Sequence, residues 1–305
     1  MFYEAAKFKT EQFSLARSVV FWRTEGLQQP SFEGKRSGIL LMGSSQMNSA
    51  VDTQLLTERL GNMNTSKKTL PGFGIMEYLM ALPDIAGYHP EVVVCMLSEF
   101  DAFREERLPV SRMRYFSHVE NVRGLAEILP WRLMWKNRAE VADLSFASLI
   151  PLWRDRDLFR HVFEGFWKNF FRQNGEAGGQ SGDKQDDMLR AVENLRREIR
   201  NTDLLESNFR SFHSFAEDLR RKGIALYVYE GRLYPFPTAV YPSWYRIETR
   251  KRLKHMADEL GFYYVSERDM PGFSEDDFED AYHFNEKGRK KFSEFLADYI
   301  AKHRA

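Results

Sequence analysis

The stretch "GILLMGSSQMNSAVD", Gly38 to Asp52, carries the first strong structural signal of the chain. Four apolar residues run directly into Gly43-Ser44-Ser45, as they do where a buried strand ends in a tight turn. In a parallel α/β sheet such a turn lifts a side chain into the crevice where these folds bind ligands. Two interpretations are open: small polar residues that only form a turn, or a serine placed as a nucleophile. Taken alone, the short motif favours the ordinary turn.

The pattern around this stretch predicts a parallel sheet. "GILLM" is typical of a buried strand, and "DTQLLTERLG" of a short helix that Asp52 caps and Gly61 ends. A second short helix in "GFGIMEYLMALPD" leads to "PEVVVCML", whose β-branched run indicates a strand covered on both faces. Strand, helix, helix and strand in this order favour parallel pairing with right-handed crossovers.

The same alternation returns in the last third of the chain. A long amphipathic helix is predicted from about residue 188 to 222, before the strand "IALYVYE". A helix in "YRIETRKRLKHMADELG" then precedes the strand "FYYVS". Asn285 is a potential N-cap for a last helix that would bury Phe292, Phe295, Leu296, Tyr299 and Ile300. We therefore expect at least four parallel strands and no internal repeat.

The chain divides into an N-terminal extension, 1–37, and an α/β domain, 38–305. Within that domain, residues at about 111–171 form helical-looking segments that contain four of the six tryptophans, Trp131, Trp135, Trp153 and Trp167. Aromatic residues at helical spacing favour a role in the core over a binding surface, while their position between strands indicates an inserted helical cap. The Gly-rich, charged stretch at about 173–187 predicts a mobile linker.

Composition excludes several classes of protein. The chain has 305 residues, 43% of them hydrophobic, which allows a large core and excludes a disordered or collagen-like protein. Its 44 basic and 44 acidic residues create no overall positive field, so no nucleic-acid partner is expected. The single cysteine, Cys95, permits neither a disulfide nor a cysteine zinc site. No metal or organic cofactor is expected, because no histidine pair has ligand spacing and no phosphate-binding loop follows a strand.

The amino-terminal sequence and the distribution of apolar residues indicate the cellular compartment of the protein. The amino terminus lacks the apolar core of a secretory signal, and no run of about eighteen apolar residues occurs. We therefore expect a soluble protein. It would belong to the cell envelope or periplasm if a leader has been removed, and to the cytoplasm otherwise; its oligomeric state is left open.

A possible catalytic pair lies just before the last helix, in "EDAYHFNEKG". Asp280 and His283 are three residues apart, which lets the carboxylate hold one ring nitrogen while the other faces the cleft as a base. Each residue alone is a weak signal, since most loop carboxylates and lone histidines have no catalytic role. Together with Ser45 after the first strand, however, they supply nucleophile, base and orienting acid.

These residues resemble the SGNH or GDSL hydrolases, serine esterases and acyl-transfer enzymes with a flavodoxin-like three-layer α/β/α fold. "MGSSQM" stands where that family has its Gly-Asp-Ser turn, which makes Ser45 the implied nucleophile and puts Ser44 in place of the usual aspartate. "DAYHFNEKGRKKFSEFLADYI" is similar to the family's final block, including the Asn-x-x-Gly after the histidine. The resemblance implies that His283 is the base and Asp280 its orienting acid.

The resemblance also implies donors for an oxyanion hole. The backbone N–H of Ser45 is one, and Gly72 is the candidate for the family's glycine, with Gly74 a weaker one. The family's Gly-x-Asn-Asp aligns with Ser98-Glu99-Phe100-Asp101, so Phe100 stands where the donor asparagine should be. Ser98 is then the nearest side chain that could replace the lost amide.

Two functions are consistent with these signals. The first is a serine-dependent ester hydrolase or O-acyl transferase that forms an acyl-enzyme on Ser45, with a small-molecule, glycan or lipid ester as substrate. The second is an SGNH-fold binding or assembly module of weak or no activity, with the aromatic insertion holding a cell-envelope glycan, lipid or protein. Phe100 favours the second function. "Ser-x-x-Asp" after the strand is loosely similar to cell-envelope acyl-transfer proteins, which implies a membrane-proximal partner for either function.

Overall fold

The computed structural model describes residues 19, 38–61, 63–98, 101–102, 108–157, 159, 204–231, 243–280 and 282–304. In the described part of the chain, five strands form one sheet: β1 (Gly38–Gly43), β2 (Asn64–Thr69), β3 (Val92–Leu97), β4 (Ala225–Glu230) and β5 (Tyr263–Val265). The helices described before residue 160 are α1 (Ser45–Ala50), α2 (Thr53–Arg59), α3 (Ile75–Met80), α4 (Leu82–Tyr88), α5 (Val110–Met113), α6 (Val119–Ile128), α7 (Trp131–Lys136), α8 (Arg138–Leu149) and α9 (Pro151–Arg154). Those after residue 203 are α10 (Leu205–Arg221), α11 (Ser243–Leu260) and α12 (Glu286–His303). Short 3-10 turns occupy Arg114–Phe116, Glu267–Asp269 and Glu275–Asp277.

The strands run parallel in the order β2-β1-β3-β4-β5. Because β2 lies on one side of β1 and β3 on the other, the order of the strands along the sheet reverses at β1. Open parallel sheets bind ligands at such a switch point, outside the carboxyl ends of the strands. The predicted α/β fold with a central parallel sheet is confirmed, and the residues after β1 lie beside its switch point.

Helices cover both faces of the sheet, which makes three layers. Along β1 the side chains alternate: Leu40 and Met42 belong to one hydrophobic core, Ile39 and Leu41 to the other. The first core contains buried residues of α3, α10, α11 and the helices between β3 and β4. The second contains buried residues of α1, α2 and α12. Continuous apolar strands such as "VVVCML" are therefore buried on both sides, as their sequence predicted.

The edge strand β2 was not expected from the sequence. Its residues, "NTSKKT", have no apolar run and no alternation of apolar and polar residues. Even so, its register with β1 turns Ser66 and Lys68 inward, and both side chains are buried. The Lys68 ammonium lies 4.9 Å from the centroid of the Tyr88 ring. Hydrogen bonding to β1 and such long aliphatic stems let a polar segment serve as an edge strand.

The insertion between β3 and β4 is helical in its described part, α5 to α9, but its tryptophans are not core residues. Trp131, Trp135 and Trp153 are 76%, 63% and 43% exposed, which contradicts the expected core role. Trp131 and Trp135 share one face of α7, and Leu133, on another face, is the residue that this helix buries. Trp167 and the predicted linker at 173–187 lie outside the described residues.

The predicted N-terminal extension, except Val19, and the first part of the helix predicted at 188–222 lie outside the described residues. Of the predicted N-terminal extension, the described residue is Val19, which is fully buried in the core that contains Leu40. The predicted helical residues 188–203 lie outside the described ranges. Within those ranges no helix combines the length and the apolar character needed to cross a bilayer.

Candidate active site

Ser45 begins α1 directly after the carboxyl end of β1, and its side chain is half-buried. Ser44 caps the helix: its hydroxyl accepts a hydrogen bond from the Gln46 N–H at 3.3 Å. Gly43 makes the tight turn possible, because an added Cβ would lie 2.9 Å from Cβ of Met47. The local sequence therefore directs the Ser45 hydroxyl to the switch point of the sheet.

Tyr78 of α3 forms hydrogen bonds with two strands of the sheet below this turn. Its hydroxyl lies 3.2 Å from the carbonyl oxygens of both Met42 and Met96, the one near the end of β1 and the other near the end of β3. The side chain is fully buried, and burial raises the pKa of the phenol well above its ordinary value. Tyr78 thus donates to backbone groups of two neighbouring strands and holds them together below Ser45.

His283 and Asp280 lie in a tight loop between a bridge and a helix. Phe278 and Phe284 form an isolated antiparallel bridge that closes the loop. Within it, Oδ1 of Asp280 accepts hydrogen bonds from the backbone N–H groups of Tyr282 and His283, at 2.7 and 2.8 Å. The Asp280 carboxylate also lies 2.7 Å from Nδ1 of the His283 ring. One carboxylate therefore orients both the backbone and the ring of the histidine.

The charge of Asp280 is favoured by these contacts. Burial alone would raise its pKa, but the hydrogen bonds from the His283 ring and from the two backbone N–H groups outweigh that effect and lower the pKa below its ordinary value. The carboxylate is therefore ionised throughout the neutral range. An ionised partner at Nδ1 favours the tautomer that carries its proton there, which leaves Nε2 as an acceptor.

The start of α12 fixes this loop against the sheet. The Asn285 side chain accepts a hydrogen bond from the Gly288 N–H at 3.1 Å, which caps the helix as predicted. A Cβ at Gly288 would lie 2.1 Å from the Asp277 carbonyl oxygen and 2.6 Å from the Phe284 ring. The Asn-x-x-Gly sequence thus lets the first turn of α12 pack directly on the segment before His283.

Helices α1 and α12 are joined by hydrogen bonds. The Phe284 N–H donates to the Ser49 hydroxyl at 3.3 Å, and Arg289 Nε donates to the Ser49 carbonyl at 2.9 Å. One turn farther along α12, the Ser293 hydroxyl accepts from the Asp52 N–H at 2.8 Å. These bonds hold the loop that carries His283 beside the helix that begins with Ser45.

The three side chains predicted from the sequence meet at this junction. Nε2 of His283 lies 2.9 Å from the Ser45 hydroxyl, although the two residues are 238 positions apart. A continuous hydrogen-bonded series therefore runs from the hydroxyl through the imidazole to the Asp280 carboxylate. The side chains of His283 and Asp280 remain 28% and 48% exposed, so the series is open to solvent and to a ligand. This arrangement can transfer a proton from the serine to the histidine.

The two glycines predicted as oxyanion donors lie at positions that their local structure accounts for. Gly72 lies in a turn closed by the Phe73 N–H and the Leu70 carbonyl, with φ at 66°, a conformation that suits glycine after Pro71. Gly74 is the N-cap residue of α3. Both positions are explained by their local structure, and their role as donors stays a prediction.

The prediction that Ser98 replaces the lost amide does not fit its hydrogen bonds. The Ser98 hydroxyl donates to the Asp101 carboxylate at 2.8 Å, and the Ser98 N–H donates to the same carboxylate at 2.7 Å. The side chain is 1% exposed. Both of its donors are therefore committed to Asp101, and the hydroxyl has no proton left for a substrate oxygen. Phe100 lies outside the described residues.

Sequence reasoning did not find the residues that position the site. Tyr78 acts through two backbone carbonyls, and Ser49 and Ser293 act through contacts between distant helices. Such bonds leave no local pattern, because the partners come together only when α1, α3 and α12 pack on the sheet. The Asn-x-x-Gly sequence is the exception, since a helix start with a required glycine has a recognisable spacing.

No family model matches the sequence, and no curated protein matches it. Among solved structures, the chain is similar to a GDSL-like lipase from Bacteroides thetaiotaomicron VPI-5482, with a TM-score of 0.44 and 9% sequence identity. The alignment covers 94% of this chain and 98% of the lipase.

Proposed function

We propose that this protein is a serine-dependent ester hydrolase or O-acyl transferase that works through an acyl-enzyme on Ser45. The observation that carries the proposal is the hydrogen-bonded series from Ser45 through His283 to Asp280, with 2.9 Å between Nε2 and the hydroxyl. A serine hydroxyl is a poor nucleophile until a base takes its proton. An ordinary turn serine has no need of a histidine held beside it by a carboxylate.

The chemistry proceeds in two balanced halves. Ser45 attacks the ester carbonyl carbon while its proton passes to Nε2 of His283, and the carbonyl oxygen becomes an oxyanion. The C–O bond to the leaving alcohol then breaks, and His283 returns the proton to that alcohol. In the second half His283 takes a proton from water or from an acceptor hydroxyl, whose oxygen attacks the acyl carbon. The bond from that carbon to the Ser45 oxygen then breaks, and His283 returns the proton to Ser45. Asp280 stabilises the imidazolium in both halves.

The oxyanion needs donors that are already in place. The Ser45 backbone N–H at the start of α1 is one, and the Gly72 N–H is the candidate for a second. Removing one such donor typically lowers the rate about a hundredfold to a thousandfold. The missing asparagine at Phe100 therefore predicts slow turnover, unless another side chain supplies the donor.

An activated fluorophosphonate tests the nucleophile directly. We expect it to label the wild-type protein and to spare Ser45→Ala, because the phosphonate reacts with a serine that a base activates. Ser148→Ala, in α8, is the matched control, since its hydroxyl donates to the Ser145 carbonyl away from the candidate site. Equal labelling of the wild type and Ser45→Ala would end the assignment.

The alternative is a binding or assembly module, and the exposed aromatic residues of the insertion favour it. Trp131 and Trp135 project from one face of α7, and Phe146 and Trp153 lie with their ring centroids 6.2 Å apart at the corner of α8 and α9. Contiguous exposed apolar groups mark binding surfaces. A glycan, a lipid or a membrane-proximal protein would be the partner, which also fits a transferase that docks its substrate there.

Ester turnover separates the two functions. The purified protein is assayed with a short p-nitrophenyl ester beside Ser45→Ala, and with cell-envelope fractions in a pull-down. Turnover that depends on Ser45 supports the enzyme. No Ser45-dependent turnover, together with retention of an envelope component that Trp131→Ala and Trp135→Ala weaken, supports the binding module.

A further inference from the structure

Gln46 is a largely buried polar residue that takes no part in the series from Ser45 through His283 to Asp280. It follows Ser45 directly in α1 and is 8% exposed. Its carboxamide lies over Gly231, the residue after β4: an added Cβ at Gly231 would be 2.8 Å from Oε1 of Gln46 and 3.2 Å from Cβ of Ser98. Since Ser98 follows β3, the Gln46 amide lies at the carboxyl ends of β3 and β4, on the residue that follows the candidate nucleophile in the chain.

The amide is unpartnered there. Within the described ranges the backbone N–H and carbonyl of Gln46 have hydrogen bonds to Ser44 and Ser49, but the side-chain carboxamide has none. An amide that has no hydrogen-bond partner among the described residues keeps its two N–H donors for a ligand. A half-turn about the last side-chain torsion exchanges its oxygen and nitrogen, so the NH₂ group can face the crevice.

The surroundings of the amide explain why it is available. Ser98 would be a competing hydrogen-bond partner, but its hydroxyl donates to the Asp101 carboxylate and accepts from the Asp101 N–H instead. Gly231 has no side chain, which leaves the space that the carboxamide fills. The Gln46 amide is therefore an uncommitted donor on the β3 side of Ser45, while Phe100 removes the donor that the resemblance placed in the loop after β3.

We propose that the side-chain NH₂ of Gln46 donates a hydrogen bond to the oxyanion that forms when Ser45 attacks an ester. This inference rests on the proposed function and adds a catalytic residue to it. An amide donor held in a largely buried crevice stabilises the charge that develops on the carbonyl oxygen more than it stabilises the neutral ester. Loss of the donor should therefore lower kcat and leave KM nearly unchanged.

The test uses p-nitrophenyl acetate and three variants. We expect Gln46→Glu, which keeps the shape but loses the NH₂ donor, to lower kcat about a hundredfold to a thousandfold, and Gln46→Ala to do the same. We expect Gly231→Ala to lower kcat at least ~10-fold, because its methyl group would displace the carboxamide. Gln54→Ala, at an exposed glutamine of α2, is the matched control and should keep the wild-type kcat.

A boronic acid that forms a tetrahedral adduct on serine gives a second measurement. Its affinity should fall with kcat in the Gln46 variants, since the adduct carries the charged oxygen that the amide would bind. Wild-type kcat and boronate affinity in folded Gln46→Glu would overturn the inference. Absence of Ser45-dependent turnover and labelling in the wild type would instead overturn the proposed function, so the two failures are distinguishable.

Discussion

At the scale of single residues, the Asp280 side chain holds both the backbone of its loop and the ring of His283 in place. Its carboxylate contacts the His283 ring at 2.7 and 3.0 Å and binds two backbone N–H groups of the same loop. The loop conformation and the ring orientation therefore depend on the same charge. Ser98 is the opposite case: a hydroxyl near the crevice whose donor capacity is used internally by Asp101.

We predict that Asp280→Asn lowers kcat for a p-nitrophenyl ester by about 10³- to 10⁴-fold. An amide that turns its NH₂ toward the ring favours the wrong tautomer of His283 and no longer stabilises the imidazolium. Initial-rate kinetics at neutral pH measure this effect. Glu275→Gln, in the exposed acidic turn before the loop, is the control, and an equal loss in both variants would show that the effect is not specific to Asp280.

Asp280 also makes a predictable contribution to acid stability. Its pKa in the folded protein is below the ordinary value of 3.8, so its stabilising effect is present above that value and is lost as the pH falls through the lower, folded pKa. Urea unfolding between neutral pH and about pH 3 should therefore show a smaller acid dependence for Asp280→Asn than for the wild type. Parallel pH curves for the two proteins would contradict the direction of the pKa shift.

At the scale of elements, the start of α12 combines a cap with a close packing contact. Asn285 satisfies an N–H group of the first turn, and the absence of a side chain at Gly288 lets the Asp277 carbonyl approach the helix. These two residues determine where α12 begins. The position of His283 relative to Ser45 follows from that start, because the loop and the helix pack as one unit.

We predict that Gly288→Ala destabilises the protein by about 1–3 kcal/mol or more, since its methyl group would lie 2.1 Å from a backbone oxygen that cannot move alone. Urea unfolding measures the change, and fluorophosphonate labelling should slow as the loop shifts. Gly124→Ala in α6 is the control: apart from its chain neighbours and its own helix backbone, no atom of the described residues lies within 4 Å of the added Cβ, so it should stabilise by up to ~1 kcal/mol. Equal effects of the two variants would contradict the packing argument.

At the scale of the whole molecule, the site depends on contacts between layers. Tyr78 comes from a helix on one face and binds the carbonyls of β1 and β3, while α1 and α12 pack on the other face and bring Ser45 and His283 together. The candidate site is thus built where a helix layer meets the carboxyl ends of the central strands. It needs the sheet register and both helix layers at once.

We predict that Tyr78→Phe lowers the free energy of unfolding by about 1–2 kcal/mol, because buried carbonyl groups at the ends of β1 and β3 lose a donor. Tyr229→Phe is a matched control: its hydroxyl is also buried but has no hydrogen-bond partner among the described residues, so removing it should be neutral or stabilising. Urea unfolding of both variants measures the difference. Equal destabilisation would show that the Tyr78 bonds contribute little.

The apolar pattern predicted most of the fold but not its polar edge. β1, β3 and β4 are buried on both faces, so their sequences are continuously apolar and easily recognised. Asp52 and Asn285 cap helices as expected, because capping is a local interaction. β2 was not predicted, because its residues have no strand-like pattern. Its extended conformation depends instead on hydrogen bonding to β1. The exposed tryptophans were misassigned because helical spacing does not tell which face meets the core.

The sequence by itself determined the succession of the apolar strands and of the helices that follow them, the turn after β1, the caps, and the identity of the three residues of the candidate site. These properties depend on short stretches of chain, where residue type and spacing carry the physical information. Only the tertiary structure decided that Ser45 and His283 lie within hydrogen-bond distance, that Ser98 is committed to Asp101, and that the Gln46 carboxamide lies against Gly231. Each of these depends on packing between segments distant in the chain, which no local pattern encodes.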